Sequence, residues 1–488
     1  MHGTINNTTT THTELQGWVS SPNGRGTLDI VSSCVVTIIL CGWSSICVNV
    51  PSPKHPQRNL LIDKWHMFCL CLLGPEFIYM LALGQYTAAR ESVQTFHNSG
   101  YPGWTLTHAF YANMGGFVFQ PYGWKLFPIN SKELHYLVTR GYLEFPKVTR
   151  REIKDRNKSS GLGRMITLSQ ILWFTLTVIV RAVQHLAITT LEVTTLGFIF
   201  CTLGTAVCWS QKPMDVESAI ILESKFTMEE ILINAGDVAS EPYRLTPLDF
   251  VDRGEWIINV MWKYCVNTLG HMGIIYRQKR VRPIERISSL RFTKTGGIGS
   301  AVFSVAYLTI FFAAWNFHFP SQIEKLLWRV AIVITIGLCI LGAGYQALCP
   351  NTGYNLKEKA EIKSQIRSIF SPGQRDRDLA PLPLPVTSNG ISRQPSKESS
   401  KPPRKKTRNN FWDESRLRKF IRHKPLNNSP DKDPEFDAPF WTIMGMFPLF
   451  SLYIFCRLYI LVEDFIGLRE LPASAFQTVS WSTYLPHF

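Results

Sequence analysis

Long uncharged, apolar stretches alternate with basic, proline-containing stretches along this chain. A helix needs about 20 apolar residues to cross the hydrocarbon core of a bilayer. Seven stretches have about that length, and they lie near residues 30–48, 65–83, 166–186, 191–209, 298–318, 328–348 and 440–461. Such an alternation is typical of a polytopic membrane protein and not of a soluble core. The sequence therefore predicts an all-α transmembrane helical bundle in a lipid bilayer.

An eighth stretch, residues 104–121, is apolar enough to enter a bilayer but also contains polar side chains. The positive-inside rule places three large basic regions in the cytosol, at 123–165, 211–297 and 349–438. The polar tail 1–28 holds fewer cations than the linker 49–64, so we expect the tail on the lumenal side. Both placements hold only if 104–121 also crosses, which gives eight spans with both chain ends lumenal. The alternative is seven spans, with 104–121 lying in the membrane interface as an amphipathic helix.

The segments outside the main bundle (29–348) are polar. Asn6 and Asn7 each begin an N-x-T sequon, which predicts glycosylation of a lumenal tail. Residues 349–439 are rich in Pro, Ser, Lys and Arg and predict a basic, disordered cytosolic insert. Residues 440–488 hold the final span and a short tail.

The net charge of the chain is +15, from 51 Lys and Arg against 36 Asp and Glu. Such an excess fits either a nucleic-acid binder or a membrane protein with cytosolic loops. No recognition motif with interleaved aromatic residues is present, so we expect no nucleic-acid partner. The basic run 277–294 could bind anionic lipid headgroups, although such a run more often only sets topology.

The cysteines lie mostly in apolar stretches and lack metal-ligand spacing. The sequence also lacks a Gly-rich phosphate loop, an HExxH motif and a G-x-S-x-G motif. It therefore predicts neither a metal site nor a cofactor.

Ionisable side chains within predicted spans are the main candidates for chemistry, because each costs about 2.5–3.5 kcal/mol on insertion scales. Glu76 follows Pro75, which should kink the second span. Two interpretations of Glu76 stay open: a carboxyl group that transfers protons, or the partner of a buried Arg or His. Arg457, at the middle of the last span, is one possible partner, and Tyr459 and Glu463 follow it as an i, i+4 pair.

Two further polar groups are candidates for a site. His108 and Asn113 in the 104–121 segment could face a ligand, or His108 could simply be interfacial. Arg181 and His185 share one helix face, with Glu192 just across a short turn. We favour a structural Arg181–Glu192 clasp over a catalytic role.

Several motifs resemble those of a large group of fungal multi-pass membrane proteins. They include Arg25-Gly-Thr-x-Asp29-Ile, Asn49-Val-Pro51, Pro75-Glu76, Trp104-Thr-Leu-Thr-His108-Ala-Phe, Met114-Gly-Gly-Phe117, Arg181-x-x-Gln-His185, Leu191-Glu192, Lys212-Pro-x-Asp-Val216 and Trp481-Ser-x-Tyr-x-Pro486-His487. The resemblance implies a fungal integral membrane protein and assigns no catalytic residue. In the family pattern a proline follows His185 in the turn between the two spans. Here Ala187 stands in its place, which implies a less rigid turn.

Three functions fit these features. The first is a membrane-embedded enzyme for a lipophilic substrate, in lipid or secondary metabolism, with acid–base groups drawn from Glu76, His108, Arg181, His185 and Glu192. It requires those side chains to converge on one pocket. The second is a transporter or receptor, and the third is a non-catalytic scaffold that uses residues 355–438 to recruit partners. The expected location is the endoplasmic reticulum, another endomembrane or the plasma membrane.

Overall fold

The computed structural model describes residues 14–21, 24–51, 57–156, 161–239, 246–248, 250–251, 294–348 and 440–480. The sequons at Asn6 and Asn7, the basic run 277–294 apart from its last residue, and the insert 349–439 lie outside the described residues. The described part of the chain is mostly helical, as predicted.

The helices are α1 (Thr27–Ser44), α2 (Gln57–Leu73), α3 (Pro75–Asn98), α4 (Leu106–Asn113), α5 (Ser131–Thr139), α6 (Arg150–Asp155), α7 (Gly161–Val183), α8 (Thr190–Cys208), α9 (Met228–Ala235), α10 (Lys294–Phe312), α11 (Gln322–Leu348) and α12 (Phe440–Ile466). The strands are β1 (Leu15–Gln16), β2 (Phe117–Tyr122), β3 (Phe127–Ile129), β4 (Ile220–Thr227) and β5 (Leu471–Pro472).

Among the described residues, three helices are long and apolar enough to cross a bilayer: Thr27–Ser44, Leu162–Val183 and Thr190–Cys208. They correspond to three predicted spans. Their outward faces are apolar, and Leu172 and Trp173 of α7 are 70% and 57% exposed. Exposing an apolar face to water costs free energy, whereas exposing it to lipid does not. The count rises to four if the bent pair α2–α3 is one span, which is fewer than the seven or eight predicted.

The prediction of one continuous helix over the span 65–83 is wrong, because the chain breaks at Gly74 and the two helices on either side are bent by 115°, as a broken span or a re-entrant loop. Gly74 is extended, and Pro75, which has no N–H, is the first residue of α3. An added Cβ at position 74 would lie 2.8 Å from the Phe77 ring and 2.9 Å from the Tyr453 hydroxyl. Only glycine therefore fits at the bend.

Both arms of the α2–α3 hairpin approach the same end of α8. Lys64 of α2 forms an ion pair with Asp215, with 2.6 Å between Nζ and Oδ1. Gln85 of α3 accepts a hydrogen bond of 2.7 Å from Lys212. Residues 212 and 215 follow directly after α8, so the hairpin leaves this end of the bundle, turns at Gly74 and returns.

The predicted membrane segment 104–121 is also wrong, both as a span and as an interfacial helix. Its helix α4 has eight residues and is about 12 Å long, whereas the hydrocarbon core is about 30 Å thick. The helix is followed by Gly115 in a left-handed conformation and by Gly116, where a Cβ would lie 2.5 Å from the Tyr111 ring. Residues 107–112 are buried within the protein.

Part of the predicted cytosolic loops 123–165 and 211–297 folds with α4 into a small α/β module. Its sheet has the order β3-β2-β4, so the chain is not all-α. Strand β2 pairs antiparallel with β3 and parallel with β4 (Phe117 opposite Ile129 and Ile220). The core of the module includes Trp104 and Phe117, which are fully buried. These residues supply the hydrophobicity that resembles a span in the sequence.

The segments near the two chain ends meet at the other end of the bundle. Strand β1 pairs antiparallel with β5, with Leu15 opposite Pro472 and Gln16 opposite Leu471. The chain before α1 and the chain after α12 are therefore on the same side of the helices.

Candidate functional site

The hairpin bend carries a buried charged group, which we call the central cluster (Glu76, Tyr307, Tyr453 and Arg457). The Arg457 guanidinium lies 3.9 Å from the Glu76 carboxylate. It also donates to the Tyr307 hydroxyl at 2.8 Å and to the Leu73 carbonyl at 3.1 Å. Tyr453 donates to the other oxygen of Glu76. Arg457 is therefore the partner of Glu76, which was one of the two interpretations left open by the sequence.

This cluster is well buried, but one of its hydrogen-bond acceptors has no donor among the described residues. Both charged side chains are at most 4% exposed. Glu76 Oε2 has no hydrogen-bond donor among the described residues, although Arg457 lies just beyond reach. A buried ion pair with an unfilled acceptor is expensive to keep, because its Coulomb attraction must offset the desolvation of both groups. A buried pair of this kind is a candidate for a functional role as well as for a structural one.

The predicted Arg181–Glu192 clasp has the wrong partners. Glu192 pairs instead with Arg25, from the chain before α1, and caps α8 by accepting from the Thr189 N–H at 2.8 Å. Arg181 donates to main-chain carbonyls, namely those of Ala187, Ser474, Ala475 and Gln477, at 2.8–3.2 Å. It thus fixes residues 474–477, which we call the C-terminal strap, against the α7–α8 turn.

The expectation that Ala187 makes the turn less rigid stays a prediction. His185, two residues after the end of α7, has a φ of 55°, and the Leu186 N–H bonds to the Arg181 carbonyl at 2.9 Å. The Ala187 N–H donates to the Ser474 hydroxyl at 3.3 Å, a bond that proline could not make. Alanine therefore adds an attachment to the C-terminal strap.

A cavity lies beside this turn, and no sequence pattern predicted it. Its volume is about 240 Å³, and its walls come from the α7–α8 turn, the α10–α11 connection and the chain after α12. Most of the lining is apolar, and the lining residues include Ala187, Thr190, Phe317, His318, Leu468 and Ala475. We call it the turn cavity.

His108 and Asn113 have structural roles in the α/β module. His108 accepts from the Thr105 N–H at 3.2 Å and lies 2.8 Å from the Val148 carbonyl, an arrangement that requires a neutral ring protonated on Nε2. Burial lowers the pKa of His108, and the charge of Arg150 contributes in the same direction. Asn113 accepts from the Ser131 N–H at 3.1 Å, so it joins α4 to the start of α5.

Lys212 is a buried cation that the sequence analysis did not single out. It donates to Gln85 and lies 4.2 Å from the centre of the Trp209 ring. No carboxylate of the described chain lies within ion-pair distance, and burial lowers the pKa of Lys212. The Lys212-Pro-x-Asp-Val216 motif was the one available signal.

Carboxylates gather near the end of α12. Glu463 lies 3.4 Å from the Tyr459 hydroxyl, as the i, i+4 spacing predicted. Asp464, which the sequence analysis missed, is fully buried next to it. Glu324 of α11 pairs with Arg469 at 2.5 Å.

The five proposed acid–base residues do not share one pocket. Glu76 belongs to the central cluster, His108 to the α/β module, and Arg181, His185 and Glu192 to the α7–α8 turn. Within the described ranges, no hydrogen bond or ion pair links these three places. No group of three or more His, Cys, Asp or Glu in the same ranges has the geometry to hold a metal ion.

Comparison with known proteins assigns a family but no activity. No curated protein and no solved structure is detectably similar to the chain. A family model described as "Family of unknown function (DUF8562)" matches residues 3–235 and 439–488, which is more than half of the chain. The matched residues include both charged groups of the central cluster and all of the α7–α8 turn. The chain therefore belongs to this family of unknown function (DUF8562).

Proposed function

We propose that this chain is a membrane transport protein in which Glu76 accepts and releases protons near the middle of the bilayer. The observation that carries the proposal is the bend at Gly74, which brings Glu76 to Arg457. Irregular main chain at membrane depth is tolerated where it is buried in protein or lines a polar path. Broken helices with charged groups at the break are typical of the substrate sites of transporters.

The depth of the bend follows from its neighbours. Arg457 is near the middle of the 27-residue α12, and Tyr307 is in α10. The two arms of the hairpin contact the chain that follows α8 through Lys64 and Gln85, about 10 residues on either side of Gly74. Glu76 is therefore well inside the bundle, away from the α/β module. There one carboxylate oxygen of Glu76, Oε2, lacks a hydrogen-bond donor among the described residues.

The proposed topology has six crossings, formed by α1, α7, α8, α10, α11 and α12, with α2–α3 as a re-entrant hairpin. An even number of crossings leaves both chain ends on one side, as the β1–β5 pairing requires. The positive-inside rule makes that side lumenal and the α/β module cytosolic. The sequence analysis needed a crossing at 104–121 to make the number of crossings even. Counting the α2–α3 hairpin as re-entrant, and not as a crossing at 65–83, makes the number even without it.

The finer assignments of the sequence analysis belong to this proposal. They are a fungal origin, an endomembrane or plasma-membrane location, and glycosylation of a lumenal tail at Asn6 and Asn7. The enzyme hypothesis has less support, because its acid–base groups lie in three separate places. The scaffold hypothesis depends on residues 355–438, outside the described part of the chain.

The test is electrical recording from reconstituted proteoliposomes on a solid support after an outside pH step. We expect a current from the wild-type protein and a decrease of about tenfold or more in Glu76→Gln, which keeps the shape but cannot ionise. Glu229→Gln changes an exposed carboxylate in α9 and should leave the current unchanged. Empty liposomes give the background leak.

A wild-type current equal to the leak of empty liposomes would contradict the proposal. An undiminished current in Glu76→Gln would do so too, provided that both proteins incorporate equally and show the same circular dichroism.

A further inference from the structure

Several buried acceptor atoms near the end of α12 lack donors. They are both carboxylate oxygens of Asp464, Oε1 of Glu463 and the hydroxyl of Thr194. None of them makes a hydrogen bond of good geometry within the described residues, although the Thr190 and Thr194 hydroxyls lie close to Asp464. We call these three residues the acceptor cluster. Asp464 is 0% exposed, Thr194 1% and Glu463 3%. A buried acceptor without a donor costs about 1–3 kcal/mol, so a group of them points to a missing donor.

The charge in this region is also unbalanced. The nearby arginines are already engaged: Arg457 pairs with Glu76, and Arg469 pairs with Glu324. Glu463 and Asp464 have no ion-pair partner in the described part of the chain. The missing donor should therefore be positively charged.

The acceptor cluster lies next to the turn cavity, with Thr190 between Asp464 and the cavity. Thr190 lines that cavity and also lies beside Asp464, as does Thr194 one turn further along α8. Asp464 is two turns from Arg457 along one face of α12, about 10 Å along the axis. The cavity, Asp464 and the central cluster therefore follow one another into the bundle.

The chemistry of these groups selects the ligand. A primary ammonium carries three N–H donors and one positive charge, which match the unfilled carboxylate oxygens of Glu463 and Asp464. Most of the turn cavity is apolar, with Phe317 and Phe319 in its wall, which suits a small hydrocarbon or aromatic tail. A metal ion is a poorer match, because the described residues include no group with metal-binding geometry.

We propose that the turn cavity and the acceptor cluster form a binding site for a small primary amine in its ammonium form. The tail occupies the turn cavity, and the ammonium approaches Asp464 past Thr190. This proposal gives the substrate class of the transport function above, but binding can be measured without transport. Failure of the site and failure of the transport function are therefore distinguishable.

The experiment is calorimetric titration of the full chain in nanodiscs with benzylammonium at pH 7. Benzyl alcohol, nearly identical in shape but uncharged, is the matched ligand. We expect benzylammonium to bind at least tenfold more tightly than benzyl alcohol, because only the ammonium gains the charge-assisted bonds. Asp464→Asn should remove that preference and leave the binding of benzyl alcohol nearly unchanged.

Two further variants keep the test decisive if Asp464→Asn does not fold. Ala475→Phe fills the turn cavity and should weaken both ligands, whereas Thr190→Val should weaken benzylammonium alone. Leu203→Trp on the exposed face of α8 is the control and should change neither. Equal affinity of the two ligands would overturn the proposal, since the acceptors would then hold only protons or water. Unchanged benzylammonium binding in both Asp464→Asn and Ala475→Phe would also overturn it.

Discussion

Arg25 and Glu192 form an ion pair that joins the chain just before α1 to the start of α8. The Glu192 side chain is 1% exposed and also accepts from the Thr189 N–H, so one carboxylate both caps a helix and holds a distant segment. The Arg25 guanidinium in turn donates to the Ala475 carbonyl at 3.2 Å. The ion pair therefore connects both ends of the chain to the α7–α8 turn.

Replacing Glu192 with Gln should lower the free energy of unfolding by about 3 kcal/mol, because Arg25 loses its partner and α8 loses a charged cap. The measurement is unfolding by sodium dodecyl sulfate in mixed micelles, followed by circular dichroism. Glu229→Gln, at an exposed position in α9, should change the free energy by less than about 0.5 kcal/mol. Equal stability of the two variants would mean that the Arg25–Glu192 pair holds nothing in place.

The C-terminal strap should loosen when Arg181 is replaced by Lys. The planar guanidinium of Arg181 donates to several carbonyl groups at once, whereas the compact ammonium of a lysine is a single point of charge and cannot reach them all. We expect proteolytic cleavage after residue 470 to become about tenfold faster, equivalent to about 1.4 kcal/mol. Arg329→Lys is the matched control, since Arg329 also donates to a carbonyl, that of Trp315 in the α10–α11 connection. Equal cleavage rates in the two variants would contradict this role of Arg181.

Removing only one charge of the central cluster should lower the free energy of unfolding more than removing both charges. Arg457→Met leaves a buried carboxylate without its cation, and we expect a loss of about 3–5 kcal/mol in the free energy of unfolding. The double variant Glu76→Gln with Arg457→Met should recover at least about 1 kcal/mol of that loss. Strictly additive effects in a double-mutant cycle would show that the two side chains are not coupled.

Acidification should destabilise the α/β module through His108. The pKa of His108 is lowered in the folded state, so the unfolded chain binds more protons and stability falls with falling pH. The loss begins near the unfolded pKa, about 6.5, and continues down to the folded value, with a limiting slope of about 1.4 kcal/mol per pH unit. His135 acts in the same direction.

His108→Gln keeps one donor and one acceptor but cannot be protonated, so its stability should depend less on pH between 7.5 and 5.5. The measurement is hydrogen exchange of α4 and β2 at a series of pH values, corrected for intrinsic rates. If the wild-type protein and the variant have the same pH profile, His108 does not account for the acid sensitivity.

The parity of the membrane crossings can be tested by glycosylation mapping. The β1–β5 pairing predicts that a sequon added after residue 488 and the sequons at Asn6 and Asn7 are on the same side. In microsomes we expect both ends to be modified, and a sequon inserted after Gly123 in the β2–β3 turn to remain unmodified. Modification at only one end would exclude an even number of crossings.

The sequence predicted the α7–α8 hairpin well because every signal for it is local. Two uncharged stretches of spanning length flank a short turn, and Thr189 with Glu192 forms a capping box at the start of α8. The signal for a kink at Pro75 was also local. The size of the bend could not be predicted, because the break at Gly74 depends on Tyr453 and Arg457, and Tyr453 is 377 residues from Glu76 along the chain.

The segment 104–121 shows why hydropathy failed there. Its apolar residues are buried by strands, and β4, which is parallel to β2, lies about 100 residues further along the chain. A sliding window detects the hydrophobicity but not its partner, so a protein core resembles a membrane span. The acceptor cluster was missed for the opposite reason: Asp464 follows Glu463 near a span end, where a single acidic residue is unremarkable.

The parallel pairing of β2 with β4 has a consequence for how the protein is made. Strand β4 is synthesised after α7 and α8, so under the proposed topology one edge of β2 stays uncovered until that hairpin has been inserted. If the hairpin entered the membrane incorrectly, β4 would emerge on the wrong side and the edge of β2 would stay bare. Because bare strand edges promote aggregation, we expect completion of this small sheet to depend on correct insertion of the α7–α8 hairpin.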